Sequence, residues 1–261
     1  MFTAIPRYGA RVLPDTARIL DTIQQHGQEV DGPHIRAFER AFAARLGVPD
    51  ARATSWGRMA FFHLLHALQL PPGSEIVLPS LTFWVVPELA RVAGLEVVFC
   101  DVDPLTFTMD PASLARVITP RTRAVVPTHL WGMPCDMDAI NAIARQHGLA
   151  VIEDCAHAHG TFWRGRGVGS FGSFGSFSFQ QSKLMTAGEG GALIGSDAAL
   201  MARARAYMNC GRVPGGGPYE HWAVGSNVRM TEWQGAVLSA QLARFPAHVS
   251  RTPQIAPVDS G

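Results

Sequence analysis

The chain has 261 residues, 47% hydrophobic and 16% charged, which suffices for one large domain or two small ones around a substantial core. A net charge of +1 without any basic run excludes the electrostatic footprint of a nucleic-acid binder, and the lack of an apolar leader or of a run of about 18 apolar residues argues against export and membrane spanning. Four scattered cysteines with no CxxC pair, and ten histidines without metal-ligand spacing, leave no disulfide framework or zinc motif, so the expectation is a cytoplasmic protein with reduced thiols and no metal.

In chain order, "GPHIRAFERAFAARLGV" (32–48) and "GRMAFFHLLHALQL" (57–70) are predicted helices. From residue 74 short apolar strands alternate with amphipathic helices. Strand 74–80 leads to helix 84–94, closed by Gly94; strand 96–103 leads to a helix with Asp110 as N-cap and Pro111 in its first turn. Strand 123–132, helix 136–148 with its terminal glycine, and strand 149–158 follow. Gly-Ser-Phe occurs three times in "GSFGSFGSF" (169–177), a loop entering a buried strand; 191–196 is a strand, 197–208 and 230–245 are helices. The alternation predicts an α/β domain with a largely parallel sheet, its ligand site at the carboxyl ends of the strands.

One residue breaks the composition. Of 22 lysines and arginines, 21 are arginine, and Lys183 in "SFSFQQSKLMTAGEGG" is the single lysine. Arginine serves wherever charge or a long stem is enough, but a guanidinium does not give up its proton, whereas a buried ε-amine can and then attacks carbonyls. Lys183 is therefore a candidate Schiff-base nucleophile. An exposed lysine left by compositional drift is the ordinary alternative.

Four further features accompany it. Asp154 ends the apolar strand "AVIED", where a carboxylate could pair with the protonated ring nitrogen of pyridoxal phosphate. Gly57 opens an apolar helix, the arrangement of a phosphate cradle. Phe83 and Trp84 follow a strand and could stack on a pyridine, and "TAGEGG" (186–191) lets backbone pass close to a bulky ligand. Singly, these also read as a turn aspartate, a plain helix start, core aromatics and a surface turn.

Together with "GSEIVLPSLTFW", "VVFCDVDPLTFTMDP", "ITPRTRAVVPTHLWGMPCDMDAINAIARQHGLAVIEDCAHAHG", "FSFQQSKLMTAGEGGAL" and "GSNVRMTEWQGAVLSAQL", the chain over about residues 30–245 resembles the DegT/DnrJ/EryC1/StrS aminotransferases. The lysine segment is most similar to that of the scyllo-inosose aminotransferases and 3-amino-5-hydroxybenzoate synthases. The resemblance implies a fold type I large domain, α/β with a mostly parallel central sheet flanked by helices, and pyridoxal 5'-phosphate as cofactor. It implies that Lys183 forms the Schiff base and moves protons, that Asp154 keeps the pyridine nitrogen protonated, and that His157 lies beside the phenolic oxygen. By the same resemblance Phe83 stacks on the ring, Ser178, Gly57 and the backbone at Arg58 hold the phosphate, and Asn227 reaches the phosphate of a neighbouring subunit. A homodimer with shared active sites is implied; Glu189 and His129 fall in matching segments near the cofactor, where the resemblance would give them substrate roles.

Two departures qualify this. Where the family has Ser-Gly-Thr, this chain has Ser55-Trp56-Gly57-Arg58, so a threonine hydroxyl is lost and the guanidinium either replaces it or points away. The expected organisation is an N-terminal segment (1–30), a cofactor-binding large domain (31–245) and an irregular tail (246–261) where the family continues into a small domain. The implied activity is amino transfer from glutamate or glutamine to a keto-sugar or keto-cyclitol. The alternatives are a dehydratase of the 3-amino-5-hydroxybenzoate synthase type, or a non-catalytic partner of a full-length paralogue.

Overall fold

A computed structural model describes residues 16–27, 29–212, 215–217 and 219–249. The chain begins with α1 (Thr16–His26), in a segment for which the sequence predicts no element, and α2 (Pro33–Leu46), opened by Pro33 and closed by Gly47 in the left-handed region. Next comes β1 (Asp50–Thr54), which the sequence reading misses because "DARAT" has no apolar run. It is an edge strand whose Arg52 pairs with Glu39 at 3.3 Å and Asp50 at 3.2 Å, and such charges deter edge-to-edge association.

The predicted alternation follows: α3 (Gly57–Leu68), β2 (Glu75–Pro79), α4 (Val85–Val92), β3 (Glu96–Cys100), α5 (Pro111–Val117), β4 (Thr122–Val125), α6 (Met137–His147) and β5 (Ala150–Asp154). A two-stranded hairpin, β6 (Phe162–Trp163) and β7 (Arg166–Gly167), precedes β8 (Phe174–Ser178), β9 (Gly191–Gly195), α7 (Ala198–Met208) and α8 (Glu232–Val249). Seven strands form one sheet in the order β1-β9-β8-β5-β4-β2-β3, in which β9 alone runs against the rest. The expected α/β layer with a mostly parallel sheet is the observed fold.

Period-two alternation splits the strand residues between two layers of helices. Ile76, Leu78, Ala124, Ile152, Phe174 and Leu193 pack toward α3, α4 and α7. On the opposite face Val77, Val125 and Val151 meet α5 and α6, while Phe177, Ala192 and Ile194 meet α2 and α8. Both faces being covered, β2 and β9 are buried along their whole length.

Several predicted strands run too long, each for a local reason. β5 ends at Asp154, not 158, because the Asp154 carboxylate accepts the Ala156 N–H at 3.0 Å and turns the chain. β4 ends at Val125, and beyond Pro127 only Thr128 forms a single parallel bridge to Asp154 before a one-turn helix at Leu130–Gly132 with Trp131 at φ 53°. β3 stops at Cys100. In the other direction, α8 continues through Pro246 to Val249, past the predicted end at 245. One missing N–H near a helix end is tolerated when Leu242 and Phe245 are already packed in the core. The rest of the expected tail, 250–261, lies outside the described residues, as do residues 1–15.

The Gly-Ser-Phe repeat has a packing origin. A Cβ on Gly172 would stand 2.5 Å from the Val151 carbonyl, one on Gly175 would stand 2.7 Å from Gly169 Cα, and one on Gly169 would stand 2.9 Å from the Phe177 ring. The loop folds this tightly onto β5 because of Glu153, which is fully buried and accepts N–H bonds from Gly169 (2.6 Å), Phe171 (2.7 Å) and Gly172 (2.6 Å). Its fourth donor is His129 Nε2 at 3.1 Å; Nδ1 of that ring accepts the Cys135 N–H, so the ring proton sits on Nε2. Glu153, His129 and the Cys155 thiol bring ligand-type atoms within 4.8 Å of one another. Both carboxylate oxygens are nevertheless fully engaged, and burial pushes the Cys155 thiol up to about 12, so the cluster is a clamp between strand and loop.

Candidate active site

The carboxyl ends of β5 and β8, the segment after β2 and the N-terminus of α3 enclose a cavity of about 430 Å³. Lys183, Asp154, His157, Ser178, Gly57, Arg58 and Phe83 all line it. Residues separated by more than a hundred positions in sequence thus converge because parallel strands end on the same side of the sheet.

Gly57 has a definite physical role. A Cβ there would lie 2.7 Å from the Phe177 carbonyl and 2.9 Å from Ser178 Cα, and one on Gly191 would lie 2.5 Å from Gly57 Cα. Two glycines back to back therefore let the first turn of α3 seat directly on the ends of β8 and β9, beside Ser178. Met59 and Ala60 donate to the Trp56 carbonyl, while the N–H groups of Gly57 and Arg58 precede the helical ladder and are available to an anion. Arg58 adds a cationic side chain at the same helix end.

Lys183 is carried on a loop with several independent ties. The Phe179 carbonyl accepts from Thr186 Oγ1 (2.9 Å) and the Ala187 N–H (3.1 Å). Gln241 of α8 holds Thr186 from both sides, accepting its N–H at 2.9 Å and donating to its carbonyl at 2.6 Å. Gln234, also on α8, donates to the Glu189 carbonyl at 2.9 Å. The last described helix is thus part of the scaffold of the lysine.

The titratable groups respond to burial that is deepest at Asp154 and His159 and partial at Lys183. Burial lowers the Lys183 pKa, offset in part by the Asp154 charge. Burial raises Asp154 against the lowering by the Ala156 N–H and Lys183. His157 is pushed down to about 4, first by burial and then by Lys183. His159, buried against Phe177 and Phe179, is pushed down to about 3 for the same two reasons. The arrangement holds an amine that can be neutral, a carboxylate shielded from water, and neutral imidazoles.

Not every expected residue arrives. Asn227, expected at a neighbouring subunit's phosphate, does not line this cavity; it is exposed, bridges Asn209 and accepts Arg229 Nε–H at 2.9 Å. His129, expected near a substrate, is fully buried in the Glu153 clamp and is no part of the cavity wall, which corrects that expectation. Glu189 does line it. Sequence reasoning overlooked Thr128, Ser176, Gln180 and Ser182, which also form the wall. For Ser176 the signal was present: it shares a strand face with Ser178, two residues on.

Comparison with known proteins agrees with this geometry. A profile described as the DegT/DnrJ/EryC1/StrS aminotransferase family matches residues 14–258. The chain belongs to that family. Among its relatives, 3-amino-5-hydroxybenzoate synthase of Amycolatopsis mediterranei (strain S699) is 37% identical over 251 residues, covering 95% of this chain and 64% of the relative. The L-glutamine:2-deoxy-scyllo-inosose aminotransferase of Micromonospora echinospora is 42% identical over 230 residues, 82% of this chain and 54% of the relative. The X-ray structure of the aminotransferase from Psychrobacter cryohalolentis superposes with a TM-score of 0.86 at 35% identity, covering 92% of this chain and 64% of that one. The chain thus spans less than two thirds of the length of these DegT/DnrJ/EryC1/StrS relatives.

Proposed function

We propose that the chain is an aminotransferase that uses pyridoxal phosphate to move an amino group from glutamate or glutamine to a keto-sugar or keto-cyclitol, in sugar or antibiotic biosynthesis. The observation that carries the proposal is the meeting of the single lysine and the buried Asp154 in one cavity beneath the α3 N-terminus. Pyridoxal phosphate is the cofactor of the family, and the residues present fit it. The glycine-packed helix start with Ser178 and Arg58 suits a dianionic phosphate, and Phe83, half-exposed at the wall, suits a ring face.

When bound, the cofactor supplies an electron sink for the carbanion formed at the substrate carbon. The protein supplies the rest. Lys183 Nζ, its proton loosened by burial, acts as nucleophile and then carries a proton to and from the reacting carbon. The Asp154 carboxylate holds a proton at the pyridine nitrogen, an ion pair strengthened by its dry surroundings. His157, neutral at working pH, can share a hydrogen bond with the phenolic oxygen without adding charge. Glu189, at the cavity wall, is placed to meet substrate.

The active unit in this proposal is a cytoplasmic homodimer with shared sites. Asn227, exposed and not part of its own cavity wall, is then available to a neighbour's phosphate, and the exposed Phe83, Trp84 and Trp131 supply apolar surface for a partner to cover. The four cysteines are all free, which suits a reducing compartment. In the proposed domain organisation, residues 31–245 form the cofactor-binding unit.

The test is spectroscopic. Protein mixed with pyridoxal phosphate should gain a visible band that borohydride or Lys183→Ala abolishes, and glutamine should bleach it. A keto-cyclitol or keto-sugar should then restore it. A colourless protein would overturn the proposal, and turnover of an aminodehydroshikimate-type substrate alone would replace transfer with dehydration.

A further inference from the structure

The segment between the end of β8 and Lys183 is "FQQS", and one residue in it makes most of the local hydrogen bonds. The Gln180 carbonyl accepts the Lys183 N–H at 2.9 Å. Its side-chain Oε1 accepts both the Ser182 N–H at 2.8 Å and the Ser182 hydroxyl at 2.6 Å. The Gln180 N–H reaches back to Ser178 Oγ at 3.4 Å. A backbone N–H can only donate, so the oxygen of the amide must face Ser182, and its orientation is set. The NH₂ therefore points elsewhere, and its two donors meet no partner among the described residues. Gln180 and Ser182 both line the cavity that holds Lys183 and Asp154.

From this we infer that Gln180 serves the reaction in two ways: its Oε1 fixes the turn that presents Lys183, and its NH₂ donates to an oxygen of the reactant bound beside that lysine. The inference rests on the aminotransferase reading and deepens it. A glutamine suits both tasks at once, because its head group offers an acceptor on one side and a donor pair on the other. Glutamate matches only the first task, and methionine, of similar length, matches neither. The first task makes Gln180 a positioning residue; the second bears on substrate affinity.

Two variants separate the tasks. Gln180→Met should speed hydrogen exchange in the cofactor-free peptide 180–185 about tenfold, since two hydrogen bonds to Ser182 are lost. It should also slow imine formation with pyridoxal phosphate by a similar factor and raise KM for L-glutamine. Gln180→Glu should exchange and colour within about threefold of wild type, yet raise KM for L-glutamine about tenfold with a smaller change in kcat. Exchange in Gln180→Met equal to wild type would overturn the positioning role. An unchanged KM in Gln180→Glu would overturn the donor role. Wild-type protein that never colours would overturn the aminotransferase reading instead, and the exchange comparison would still decide whether Gln180 holds the turn.

Discussion

Because Lys183 is the only lysine, its titration can be watched directly. Reductive methylation with ¹³C-formaldehyde labels that side chain and any free α-amine, and the signal missing from Lys183→Arg is that of the lysine. Burial lowers the Lys183 pKa and the Asp154 charge raises it, so Asp154→Asn should lower it further. Asparagine keeps an oxygen for the Ala156 N–H, so the turn survives. A sphere of 430 Å³, the volume of the cavity that both groups line, is about 9 Å across, and this serves as their working separation. At an effective dielectric near 20, unit charges about 9 Å apart interact by about 1.8 kcal/mol before water at the cavity mouth screens them, enough to move a titration visibly. The ¹³C signal should thus titrate below the ordinary lysine range in wild type and lower again in the variant. A wild-type midpoint at the value of a free lysine would refute the burial argument. Identical midpoints in both proteins would refute the coupling of Lys183 to Asp154.

Other consequences follow from the same contacts. Gly57→Ala must push α3 off the ends of β8 and β9, so calorimetry should show a loss of about 1–3 kcal/mol and a weaker dissociation constant for pyridoxal phosphate; unchanged affinity would show that the helix end is not the cradle. Glu153→Gln places an NH₂ among three N–H donors and the His129 ring proton, and chemical denaturation should register a loss of about 3 kcal/mol or more. Stability should also fall as pH drops from 6.5 toward 4. His157 and His159, with folded values near 4 and 3, stay neutral in the fold across that window while the unfolded chain takes up protons, so the native state loses ground. His159→Phe should flatten the dependence of the melting temperature on pH, and an unaltered slope would show that the ring charges without penalty. Gln241→Leu removes both bonds to Thr186 and should cost about 2 kcal/mol by the same denaturation assay while slowing colour formation with pyridoxal phosphate.

Short apolar runs were enough to place the central strands, 76–78 in β2, 124–125 in β4 and 150–152 in β5, because helices cover both faces of the sheet there. β1 was invisible for the opposite reason: an edge strand anchored by Arg52 to Glu39 and Asp50 carries no hydrophobic pattern. Strand ends were misjudged wherever a side chain, rather than a change of polarity, stopped the ladder, as Asp154 does by capturing the Ala156 N–H.

For the site, residue chemistry alone singled out Lys183, since only a primary amine can form an imine and arginine had replaced lysine everywhere else. Asp154 and Gly57 were recognisable from a strand end and a helix start, Ser178 only through the family resemblance. That Glu153 and His129 belong to a clamp and not to the cavity was beyond any linear reading, because adjacent residues on a strand face opposite ways and their partners lie in loops far along the chain. Only packing revealed why three glycines repeat into the start of β8, or why Gln180 must turn its oxygen to Ser182. Local chemistry is written in the order of residues; which groups are buried, and therefore which protons are loosened, depends on what the folded chain brings against them.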